Sequence, residues 1–149
     1  MRHSLSGIKK GRHSDFKIVF EKTEMAETFA PFITDFVNWE PPFDLYVIDD
    51  TIIINMELPG VKTEDILIYV ARYFVIVSGT KENPVNLTTG DNIVFHNFEI
   101  SYGRFERRID LPLPIEIRRG KYLLENGILT IKFPVEKERI IPIEDGTDE

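Results

Sequence analysis

After residue 42 the chain alternates polar and apolar positions with a period of two. Phe43, Leu45 and Val47 alternate with Asp44, Tyr46 and Ile48; Ile52, Ile54, Met56 and Leu58 alternate with Thr51, Ile53, Asn55 and Glu57. Successive side chains of a strand point to opposite faces, so each run predicts a strand with one buried face. Asp49-Asp50 predicts the turn between them, and Pro59-Gly60 the end of the second. Ile66, Ile68 and Val70 predict a third strand, and Phe74 to Val77 a fourth ending at Ser78-Gly79. Residues 81–92 are rich in turn formers and predict a long loop, with Ile93 to Phe98 a short strand inside the excursion. Phe105, Arg107, Ile109 and Leu111 alternate up to Pro112. The stretch GKYLLENGILTIKFP, residues 120–134, then predicts a β-hairpin. Tyr122 and Leu124 share one face; Leu129, Ile131 and Phe133 share another across Asn126-Gly127, a pair that tolerates the positive φ of a tight turn. Pro134 lacks a backbone donor and ends the second strand or puts it at an edge.

No connection between these strands has room for a periodic helix, which excludes parallel crossover folds and predicts an all-β antiparallel sandwich. Earlier, the pattern is different. Residues 1–15 are polar and mildly basic, whereas Phe16, Phe20, Phe29, Phe32 and Phe36, with Trp39 close behind, hold five of the eleven phenylalanines. Phe29, Phe32, Ile33, Phe36 and Val37 recur at helical spacing, with Thr28 as a cap and Pro31 in the first turn. Two readings fit: a helix folded on the core, or an adherent arm that packs between subunits. Glu40-Pro41-Pro42 ends the segment. The expected division is therefore an arm (1–42), a sandwich (43–135) and an extension (136–149). In the extension Ile141-Pro142-Ile143 stands isolated among charges, either as a stiff docking segment or as a last strand of the chain's own sheet.

Composition narrows the function. Hydrophobic residues make up 42% of the 149, enough for a core. The net charge of −7 is uneven: residues 1–40 are balanced, 41–134 carry −3 and 135–149 carry −4. An acidic chain without a concentrated basic face is a poor nucleic-acid binder. No apolar run is long enough for a membrane helix, and the basic start is not followed by the apolar stretch of a secretory signal. The absence of cysteine removes disulfides, thiolate nucleophiles and cysteine metal clusters, and with the missing signal points to the cytoplasm. His3 and His13 have no further ligands nearby, so neither a metal nor any other cofactor is expected. Ser101, His96 and Asp91 are near in sequence but sit on no nucleophile elbow, and there is no phosphate loop. The expectation is a non-enzyme.

Five segments, in order, resemble the small heat-shock proteins, the family built on the α-crystallin domain. They are Glu57-Leu58-Pro59-Gly60-Val61 with Thr63-Glu64-Asp65-Ile66; Val77-Ser78-Gly79; Tyr102 to Pro112 (YGRFERRIDLP); Asn126 to Pro134 (NGILTIKFP); and Ile141-Pro142-Ile143. The resemblance implies an immunoglobulin-like sandwich, a homodimer as building block, larger homo-oligomers, and an ATP-independent holdase for unfolding client proteins. A rival reading is a monomeric p23/CS-type co-chaperone, which would lack the arginine-bearing strand and the Ile-Pro-Ile motif.

The resemblance also implies roles. Phe43, Leu45, Tyr46, Ile93, Phe95, His96, Phe98 and Arg107 belong to the dimer interface, with Ile93 to Phe98 crossing to pair with a partner's Phe43 to Ile48. By alternation Arg107 lies on an apolar face and should find a carboxylate, in this chain or its neighbour. Ile141 and Ile143 dock into a groove lined by Ile66, Ile68 and Tyr122 of another subunit; Tyr122 is bulkier than the small residue usual there. Phe16, Phe20, Phe29, Phe32, Phe36 and Trp39 are the expected client-binding side chains.

Overall fold

The computed structural model describes residues 16–20, 39–85, 92–138 and 141–146. Its strands are β1 (Lys17–Phe20), β2 (Phe43–Ile48), β3 (Thr51–Glu57), β4 (Ile66–Val70), β5 (Phe74–Lys81), β6 (Gly103–Asp110), β7 (Lys121–Glu125) and β8 (Ile128–Pro134). They form two four-stranded sheets, ordered β1-β4-β5-β6 and β2-β3-β8-β7. All pairings are antiparallel except β1 with β4, which is parallel.

The period-two alternation decides what fills the space between the sheets. Ile52, Ile54, Met56 and Leu58 are fully buried, and they meet Ile66, Ile68, Val70, Val75, Val77, Phe105 and Ile109 of the other sheet together with Leu129, Ile131 and Phe133. Phe105, in the YGRFERRIDLP segment, is among the largest wholly buried side chains. Its cross-strand partner is Gly79, where a Cβ would collide with the Phe105 ring and with the Asp65 carbonyl oxygen. That is why β5 does not stop at Ser78-Gly79, as turn chemistry alone suggests, but runs on to Lys81. The glycine serves close packing, not a turn.

Both hairpins that the pattern predicts are present. Asn126 (φ 51°) and Gly127 (φ 75°) join β7 to β8, and Asp49 (φ 46°) and Asp50 (φ 58°) join β2 to β3. Two successive left-handed residues give the primed turn whose twist matches a hairpin, and aspartate tolerates that region through its short polar side chain.

Two strand expectations are corrected. Ile93 to Phe98 forms no strand within this chain: its backbone joins neither sheet, so its alternation is left without the ladder partner a strand needs. The eighth strand comes instead from the arm: Lys17–Phe20 adds to β4. The expected helix from Thr28 to Val37, with Phe29, Phe32 and Phe36, lies outside the described residues.

Candidate functional site

A sandwich built from two open sheets has edges, and edges expose unpaired backbone groups that invite further strands. The predicted site residues gather at two of these edges and on two free segments.

The first edge is that of β4 and β7, where the tail groove was expected. Ile66 and Ile68 lie in the core at 1% and 0% exposure, beneath β1. Phe16, Ile18 and Phe20 pack against that core from the open side. Phe16 approaches the Tyr122 ring with centroids 6.5 Å apart, and Tyr122 meets Phe133 edge-on at 5.8 Å. The Arg118 guanidinium sits 5.7 Å over the Phe20 ring. The arm strand thus bridges the opening from β4 in one sheet to β7 in the other.

Tyr122 neither blocks this edge nor stands clear of it: its ring is folded over Gly120 as a side wall. The hydroxyl is buried without a hydrogen-bond partner, and burial pushes its pKa above the usual 10.0. Burial disfavours the phenolate only in the folded chain, so stability is full below about pH 10 and falls as pH rises beyond it. Tyr122→Phe is expected to flatten this alkaline loss and to add about 1 kcal/mol at neutral pH by removing an unsatisfied hydroxyl. Urea unfolding of both proteins between pH 7 and 11 checks it; parallel pH profiles would reject the assignment.

The second edge is β2. Phe43 and Leu45 turn inward onto the chain's own core, while Tyr46 faces outward and its hydroxyl accepts a 2.9 Å bond from the Asn55 side-chain amide. Asn55 in turn accepts from the Thr130 hydroxyl at 3.0 Å, a polar chain across three strands. Within the chain, Arg107 finds a different partner from the carboxylate expected for it. Its guanidinium donates a 2.8 Å bond to the Pro41 carbonyl and lies 4.7 Å over the Phe43 ring. A backbone oxygen and an aromatic face can stabilise a half-buried cation without a counter-charge. The consequence is that Arg107 fastens the proline linker to the end of the sandwich.

The free segments are the loop and the tail. Ile93, Val94, Phe95, Phe98 and Ile100 are all exposed, Phe98 at 63%, and Phe95 and Phe98 touch edge to face at 4.9 Å. His96 is exposed beside them. Ile141 and Ile143 are 81% and 93% exposed, and the Ile141 to Gly146 stretch joins neither sheet. Trp39 behaves otherwise: it is half-buried edge-on against Phe105 at 5.2 Å, with Lys81 at 4.9 Å over its indole. Sequence reasoning missed Ile18 and Arg118, which complete the covered edge. The alternation of Phe16, Ile18 and Phe20 was the signal for the first; nothing in the sequence marks the second.

Two four-stranded sheets packed face to face, one wholly antiparallel and one with a single parallel pair, with apolar side chains left on a loop and a tail, define a β-sandwich of the α-crystallin class. The Hsp20/alpha crystallin family model matches residues 44–144, and the chain belongs to that family. Among its relatives, Heat shock protein 16 of Schizosaccharomyces pombe is 34% identical over 66% of this chain and 69% of its own length. The 16.9 kDa class I heat shock protein 1 of Oryza sativa is 30% identical over 88% and 83%. The solved structure of heat shock protein 16.0 from Schizosaccharomyces pombe superposes with a TM-score of 0.56 at 28% identity, covering 71% of this chain and 99% of that one. These relatives give the chain a chaperone role and do not favour the p23/CS-type reading. Among the described residues no helix is long and apolar enough to cross a membrane.

Proposed function

We propose that the chain is an ATP-independent holdase that works as a dimer-based homo-oligomer. The observation that carries this reading is the apolar surface a single copy leaves in water: Val94, Phe95, Phe98 and Ile100 on the loop, and Ile141 and Ile143 on the tail. Contiguous exposed apolar groups of this kind belong to association surfaces. β2 lies at a sheet edge, so its outer backbone groups suit a strand from another copy. Ile93 to Phe98 of a partner supplies that strand, and Phe43, Leu45, Tyr46 and Arg107 form the ground it lands on. Ile141 and Ile143 join dimers by docking at the β4–β7 edge of a neighbour. Clients are held by Phe16, Phe20, Phe29, Phe32, Phe36 and Trp39 of the arm, because apolar area is non-directional and accepts many sequences. No step needs a cofactor, and the work is done in the cytoplasm.

The test combines native mass measurement with a heated-client light-scattering assay without nucleotide. Oligomers of even subunit number that suppress client aggregation are expected. A stable monomer that leaves clients to precipitate would overturn the reading.

A further inference from the structure

The β4 edge can accept one strand, because an edge offers a single row of free N–H and C=O groups. Within one chain β1 already takes it, from the Lys17 pairing with Leu67 to the Phe20 pairing with Val70, which covers four of the five residues of β4. In the same chain the tail motif is fully out in water. The two segments present themselves alike: Phe16, Ile18 and Phe20 repeat every second residue, as do Ile141 and Ile143.

We propose that β1 is an internal occupant of the β4–β7 edge and competes there with the Ile141-Pro142-Ile143 motif of a second copy, so that release of Phe16–Phe20 licenses assembly. This rests on the reading of the tail as a groove-binding segment. The contact that holds β1 is small: four paired residues, three apolar side chains and the Arg118–Phe20 stack. It is also intramolecular, so its strength does not depend on protein concentration, whereas docking of a neighbour's tail does. The chain therefore carries its own threshold: dilute copies keep the edge covered by the arm, and crowded copies exchange it for tails. An arm segment displaced in this way is set free at the same moment as assembly proceeds, with Phe16 and Phe20 newly exposed for clients.

The experiment uses the full chain carrying Ile141→Ala and Ile143→Ala, which silences its own motif, and a fluorescent peptide of residues 136–145 (EKERIIPIED) as probe. Anisotropy titrations compare this parent with two derivatives. Ile18→Asp loosens β1. Lys17→Cys with Leu67→Cys places a thiol on each of two paired residues of β1 and β4, in a chain with no other cysteine, so oxidation fastens β1 and reduction releases it. If β1 leaves the edge open in a tenth of the molecules, Ile18→Asp should tighten peptide binding about tenfold, since apparent affinity scales with the competent fraction. The oxidised pair should abolish binding and dithiothreitol should restore it. Equal affinity for parent, Ile18→Asp and the oxidised pair would overturn the competition while leaving the tail-docking reading intact. Binding to none of them, Ile18→Asp included, would overturn both.

Discussion

Phe105→Ala is expected to remove about 3–5 kcal/mol of folding stability, the range for truncating a large buried aromatic. Domains of this size are stable by roughly 5–15 kcal/mol, so the variant loses from about a fifth of that margin to all of it. The size of the effect follows from where the ring sits. It is wholly buried between the sheets, fills the space that Gly79 leaves open, and receives the Trp39 edge at 5.2 Å. Neighbours cannot collapse into the gap easily, because Gly79 lies in the middle of a paired strand whose register is fixed on both sides. Leu123→Ala, on the exposed outer face of β7, serves as the control and should change stability by no more than about 0.5 kcal/mol. Chemical unfolding of both variants at one protein concentration measures the difference. A loss below about 1 kcal/mol for Phe105→Ala would mean the core is far looser than this packing implies.

The second large effect concerns assembly. Ile141→Ala with Ile143→Ala is expected to reduce the oligomer to its dimeric building block, while the melting temperature of the sandwich stays close to that of the parent. Two buried isoleucines are worth about 3–6 kcal/mol before the cost of ordering the tail. Each contact is therefore reversible alone, and an assembly is held by many together. Neither side chain touches the core of its own chain, which is why folding should be spared. Light scattering after gel filtration decides the matter; an unchanged mass would place the inter-dimer contacts elsewhere, with the arm as the next candidate.

Most of the sandwich could be read from alternation, because strand periodicity is local: Ile52 to Leu58 and Leu129 to Phe133 announce their buried faces without reference to anything distant. The Asn126-Gly127 turn was legible for the same reason. What local pattern cannot supply is a partner. Lys17–Phe20 has the composition of a strand, but its mate lies fifty positions later, Ile18 against Ile68, and the helical spacing that begins at Phe29 says nothing about it. Ile93 to Phe98 presents the converse case. It has a strand's residues but joins neither sheet of its own chain, so its character shows only as exposure. Arg107 was rightly placed on an apolar face, yet its Pro41 carbonyl and Phe43 ring belong to a linker whose path no alternation predicts.

The indole of Trp39 gives the molecule an optical signal of its own. It is the sole tryptophan, and it rests where the linker meets the sandwich, edge-on to Phe105 and beneath the Lys81 ammonium. Its emission colour therefore follows the moment the linker lifts away, without any attached dye, and circular dichroism at strand wavelengths can be recorded beside it to time that detachment against melting of the sheets.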